Sequence, residues 1–172
     1  WRLIWFKHAI PRCSFFLWLA IRQRLNTQDR LMRFGVIQVM KCSFYQLNVE
    51  NRDHMFFGCS FTQDIWMAMT RKCEIAWQPC EWQQTVIWAT QELNGNSLRK
   101  NLGKLALRVT IHTIWIERSK RLFPNEARDR EAIVAGIQSL IRGRLMGLNK
   151  LKNSQHNLHI KRIWGLPDCI FG

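Results

Sequence analysis

The sequence predicts a mainly α-helical protein: a small helical domain interrupted by an irregular loop, then a long helical hairpin and an extended tail. Three observations predict it. Apolar residues recur at spacings of three and four through most of the chain, strand signals are nearly absent, and turn formers fall at the breaks between periodic stretches.

Each element follows in order. PRCSFFLWLAIRQRL, residues 11–25, opens with a proline where a helix tolerates one, and Phe15, Phe16, Trp18, Leu19 and Leu25 form a broad apolar face. Asn26 and Thr27 are natural caps for a second short helix, QDRLMRF, which Gly35 closes. Residues 36–59 read as irregular, with Asn48, Asn51 and Asp53 as turn formers. Ser60 is placed to cap a helix from Phe61 to Arg71, with Ile65, Trp66 and Met69 inward. A loop around Pro79 leads to a helix through TVIWATQEL, which ends before Asn94-Gly95-Asn96.

From Leu98 to Leu122 the seam Leu98, Leu102, Leu105, Val109, His112, Ile116 marks a long amphipathic helix, broken by Pro124 and Asn125. A second long helix runs to about Leu148, with Ile133, Ile137, Leu140, Ile141, Leu145 and Leu148 on one face, and the two suit an antiparallel hairpin. The tail from Asn149 reads as an extended arm whose Trp164 docks on the body. The expected divisions are residues 1–72, 73–148 and 149–172.

Composition narrows the function classes. With 172 residues, 47% of them hydrophobic, and nine tryptophans, the chain can bury a real core. No apolar run is long enough to span a bilayer, and WRLIWFKHAIPR lacks the form of a signal peptide, so no membrane role is expected. A chain that opens on Trp1 reads as a piece of a longer polypeptide. A net charge of +14 makes RNA or DNA the first partner to consider, since phosphates release counterions on contact with cations. A basic surface that merely keeps the chain soluble is the alternative. The six cysteines (13, 42, 59, 73, 80, 169) are scattered, which suits free or metal-bound thiols in a reducing compartment, nuclear or cytoplasmic.

CSFYQLNVENRDHMFFGC, residues 42–59, offers Cys42, His54 and Cys59 as metal ligands. A structural zinc site wants a fourth, and the position where a C-x-x-C pair would supply it holds Tyr45. His112 reads as a core histidine and His8, His156 and His159 as surface residues. Trp18, Trp66, Trp88 and Trp115 read as packing residues.

The order Trp5, Pro11, Phe16, Trp18, Leu25, Thr27, Asp29, Arg30, Leu31, Gly35, Cys42, His54, Phe56, Cys59, Trp66 resembles the zinc-binding domain that follows reverse transcriptase in plant LINE-type retrotransposons. The resemblance covers about residues 1–70, and HTIWIERSKRLF, with Trp115, Glu117 and Arg118, resembles a segment often found downstream in such chains. It implies zinc at Cys42, His54 and Cys59, and a non-catalytic accessory module that holds nucleic acid beside the reverse transcriptase portion of a parent polyprotein.

Position 45 departs from that pattern, because the family's second cysteine is replaced by tyrosine, a weak zinc ligand. Two outcomes stay open. Either zinc is held more weakly, with Asp53, Glu50, Cys13, Cys73 or Cys80 as conceivable replacements, or the loop carries no metal. In the second case Phe44, Phe56 and Phe57 hold it, and Cys42 and Cys59 are small buried residues. An open zinc site in a hydrolase is a third, weaker idea. Basic residues cluster before Cys42, and Arg22, Arg24, Arg30, Arg33 and Lys41 are the candidate phosphate contacts. A degenerate helical interaction or scaffold fragment, without metal or activity, is the competing function.

Overall fold

The computed structural model describes residues 3–76, 81–121 and 127–172. Its α-helices run in the order α1 (Pro11–Ile21), α2 (Gln28–Arg33), α3 (Ser60–Cys73), α4 (Trp82–Glu92), α5 (Leu98–Lys120), α6 (Arg130–Met146) and α7 (Gln155–Trp164). A π-helical turn, His54–Gly58, precedes α3, and a 3-10 turn, Asp168–Ile170, follows α7. Among the described residues there is no strand, only an isolated parallel bridge between Leu151 and Phe171. The expected breaks at Pro79 and at Pro124 and Asn125 lie outside the described residues.

Helix ends are made locally. Pro11 occupies the first turn of α1, where its missing N–H costs nothing. That helix stops at Gln23, which takes a left-handed φ of 52° while the Arg24 N–H reaches back to the Leu19 carbonyl at 2.8 Å. The same device closes α2 at Gly35, φ 69°, where glycine adopts the left-handed region without penalty. Ser97, Asp129 and Ser154 cap α5, α6 and α7 by accepting backbone N–H bonds.

Two expected caps differ. Thr27 precedes α2 but its side chain makes no cap bond; the Glu50 carboxylate accepts from the Gln28 N–H instead, at 3.3 Å. Cys59, not Ser60, is the cap position of α3, so Ser60 is already helical.

The core is organised around α5. The sequence seam suggests one buried stripe, yet every residue from Asn101 to Thr113 is buried. Packing causes this: α1, α3, α6 and α7 all lie against α5, so no face is left for water. In α1 the inward residues are Cys13, Ser14, Leu17 and Ala20, whereas Phe15 is 48% exposed. Apolar residues surround that helix, and the small side chains are the ones turned to the core, where they permit close approach to α5.

The hairpin of α5 and α6 forms as expected, with Ile133, Ile137, Ile141 and Leu145 fully buried; Leu140, expected on the same face, is 50% exposed. The tail is not an extended arm. It folds into α7, whose Ile160 and Trp164 are buried together with Leu166 and Ile170. Arg142 fastens it by donating to the carbonyls of Trp164 and Gly165 at 3.1 and 2.8 Å. Arg144 does the same for the N-terminal segment, donating to the His8 carbonyl at 2.9 Å. Both arginines, part of a basic run in the sequence, are therefore occupied in holding segments together.

Candidate metal centre

The loop that carries Cys42 is a tight turn. The Cys42 N–H donates to the Asn48 carbonyl at 2.6 Å, the Gln46 N–H donates to the Cys42 carbonyl at 2.8 Å, and Gln46 is left-handed. His54 and Cys59 come from the π turn. In an α-helix, residues five apart point about 140° away from each other. Here the Cys59 N–H bonds to the His54 carbonyl at 2.8 Å, the wider ring of a π turn, and the two side chains return to one side. Asn51 starts the turn by accepting the His54 N–H at 2.8 Å, and Trp66 supports it by donating its indole N–H to the Phe56 carbonyl at 2.7 Å. Phe44 stacks on Phe61 with centroids 4.9 Å apart, and Phe57 lies against Trp66, giving the site an aromatic wall.

The ligand atoms of Cys42, His54 and Cys59 all lie within 4.8 Å of one another. The two sulfurs are 3.7 Å apart, well beyond a disulfide bond. The Cys42 thiol is pulled below its ordinary pKa, first by the hydrogen bond from Cys59, then by the backbone N–H groups of Tyr45 and Phe44 and by His54, with burial opposing. Cys59 is pushed up by Cys42 and by burial. These donors favour the thiolate at Cys42, the form that ligates metal. His54 Nε2 is buried and has no hydrogen-bond partner. An imidazole nitrogen within 4.8 Å of two buried sulfurs fits zinc at three positions.

No described residue supplies the fourth. Tyr45 is 42% exposed and its ring lies edge-on to Phe61 at 6.2 Å. Its contribution to the site is its backbone N–H. Asp53 caps α4, accepting the Trp82 N–H at 2.6 Å. Glu50 is fully buried and committed to other partners: Arg118 donates to it through Nε and Nη2 at 3.0 and 2.7 Å, Ser43 at 2.6 Å, and Gln28 through its backbone N–H and its amide. Cys13 and Cys73 are buried apart from the cluster, with burial pushing their thiols up to about 11 and about 12. Cys80 lies outside the described residues.

Glu50 reads in sequence as a commonplace loop residue or a spare ligand. Structurally it joins the loop, α2 and α5. The one advance signal is Arg118, which sits in the downstream segment whose spacing stands out in the sequence. His112 is buried as expected but only half satisfied, since Arg12 Nε donates to its Nε2 at 3.1 Å while Nδ1 has no partner. Burial, then the charge of Arg12, lowers its pKa to about 4.

Of the basic candidates, Arg22, Arg24, Arg33 and Lys41 are exposed and Arg30 is half-buried. Arg30 and Arg33 share a cleft of about 400 Å³ with Arg52, which the sequence does not single out, and with Phe34, Asp29 and Asp53. Arg33 pairs with Asp29 at 3.2 Å, and Arg30 donates to the Gln23 carbonyl. Arg22, Arg24 and Lys41 are not among the cleft's lining residues.

Residues 1–66 match the family model described as zinc-binding in reverse transcriptase. No curated protein and no solved structure matches the chain.

Proposed function

We propose that the chain is a non-catalytic accessory module of a reverse transcriptase polyprotein, of the LINE type found in plants, which holds RNA or DNA and binds zinc weakly at Cys42, His54 and Cys59. The observation that carries this reading is the convergence of those three ligand atoms within 4.8 Å inside the segment matched by the family. Zinc bound there would supply cross-linking of the loop to the π turn, and folding energy with it. Arg22, Arg24, Arg30, Arg33 and Lys41, with Arg52 added, are the phosphate contacts on the proposed nucleic-acid face, and exposure of four of the first five supports that role.

A second reading is favoured by Tyr45. With no thiolate at that position, and with Glu50 and Asp53 engaged elsewhere, the domain would survive as a helical interaction fragment without metal. Two measurements decide. Metal content per purified chain, read by atomic emission, is expected near one zinc at saturating metal; none would favour the second reading. A mobility-shift titration at low salt is expected to show complexes that weaken steeply as salt rises. Absence of any complex would overturn the nucleic-acid reading.

A further inference from the structure

A second charged site lies away from the metal centre, where the N-terminal segment meets the turn between α4 and α5. A cleft of about 670 Å³ there is lined by Trp5, Lys7, Thr90, Asn94, Asn96 and Lys104, together with apolar residues, and among the described residues no carboxylate lines it. Its volume is that of a small-ligand pocket.

Among the described residues, no carboxylate pairs with the buried cations around it. Lys104 is 3% exposed and bonds only a neutral group, the Gly95 carbonyl, at 2.6 Å. One turn further along α5, Arg108 is fully buried, donates to the Lys104 carbonyl, and leaves Nε and Nη2 without partners. Both cations lie over the ring of Phe6, at 4.7 and 4.3 Å from its centroid. Burial lowers the pKa of each, Arg108 to about 9, where it still carries its charge at neutral pH. His8 reports the same field, its pKa lowered by burial and then by Lys7, Arg144 and Lys104.

Buried cations without a counter-charge are costly, and an arriving anion would offset that cost. Trp5 adds the second half of the argument. It is 48% exposed at the cleft, an indole face of the kind on which bases stack. Asn94, Asn96 and Thr90 complete the lining with neutral hydrogen-bonding groups.

We propose that this cleft binds a nucleotide phosphate, with Lys7 and Lys104 on the phosphate and Trp5 against the base. The inference stands apart from the metal centre and from the basic face of α2, and does not need either. A free nucleotide and a single strand of nucleic acid present the same chemistry.

The test uses the full chain at constant ionic strength, with titration calorimetry and thermal unfolding in the presence of AMP, inorganic phosphate, adenosine, or a hexamer of adenylate. AMP is expected to bind and raise the midpoint, inorganic phosphate to do so more weakly, and adenosine to do neither. Lys104→Met is expected to weaken AMP at least about tenfold while the midpoint holds or rises, because a buried unpaired charge has gone. Lys7→Gln, at an exposed position, weakens AMP and inorganic phosphate alike, and Trp5→Ala brings AMP down to the affinity of inorganic phosphate. Tighter binding of the hexamer than of AMP assigns the polymer as source, and equal binding the free nucleotide; both retain the site. Adenosine acting as well as AMP, AMP doing no more than chloride, or wild-type AMP affinity in both lysine variants overturns it.

Discussion

Position 45 shows how much one side chain decides. The turn that holds Cys42 is intact, and the Tyr45 backbone N–H still supports the Cys42 sulfur. What it lacks is a fourth candidate ligand beside Cys42, His54 and Cys59 among the described residues. Tyr45→Cys is therefore expected to raise zinc affinity at least about tenfold and to raise the unfolding midpoint in zinc but not in chelator, read by competition with a chromophoric chelator and by thermal melts. No gain in either would sink the view of Tyr45 as a replaced ligand. Glu50 and Arg118 make the opposite case, a pair of charges invisible to local spacing because its partners are 68 positions apart. Both side chains are almost wholly buried, so removing one strands the other. Arg118→Met is expected to cost about 3–5 kcal/mol in urea unfolding. A loss below about 1 kcal/mol, the scale of an exposed pair, would show that Glu50 is not confined as described.

Among the elements, helix existence was legible in the sequence and helix orientation was not. Spacing finds α5 and α6, and glycine or asparagine marks several ends, because these depend on neighbours within a turn. Of the broad apolar face of α1 and its end, Phe16, Trp18 and Leu19 pack against the core and Leu25 is buried, but Phe15 is exposed. Contact with α5 selects Cys13, Leu17 and Ala20 as the innermost residues. In α6, Leu140 shares the heptad spacing of its neighbours but lies outside the contact. Ile137→Ala is expected to cost about 2–5 kcal/mol, whereas Leu140→Ala stays within about 0.5 kcal/mol. Equal costs in a denaturant series would overturn that assignment of faces. The π turn was missed for a related reason: its five-residue spacing of His54 and Cys59 resembles irregular loop until the carbonyl bond is seen.

At the scale of the whole molecule, His112 makes stability depend on pH. Its folded pKa of about 4 lies below the ordinary value of 6.5, so the neutral ring is the folded form. As pH falls through 6.5 the unfolded chain takes up a proton that the native state refuses until about 4. Stability contributed by the neutral ring is thus present above pH 6.5 and lost across that window, by on the order of 3 kcal/mol. His112→Gln is expected to flatten this part of the curve, measured by urea unfolding in chelator so that metal release does not contribute. An unchanged slope would remove His112 as its cause.

The sequence by itself determined the helical class, the candidate ligands Cys42, His54 and Cys59, the tyrosine at 45 where a C-x-x-C pair would place a cysteine, and the strongly basic charge. All of these rest on residue identity or on spacing within a few turns. Tertiary structure alone decided that α5 is buried on every side from Asn101 to Thr113, that the tail folds back as α7, and that Glu50 belongs to Arg118 rather than to a metal. It also decided that Lys104 and Arg108 sit without a counter-charge among the described residues. Each of these depends on which distant segments are brought together, and on the cost of burying a polar group without a partner, a cost that exists only once the chain is packed.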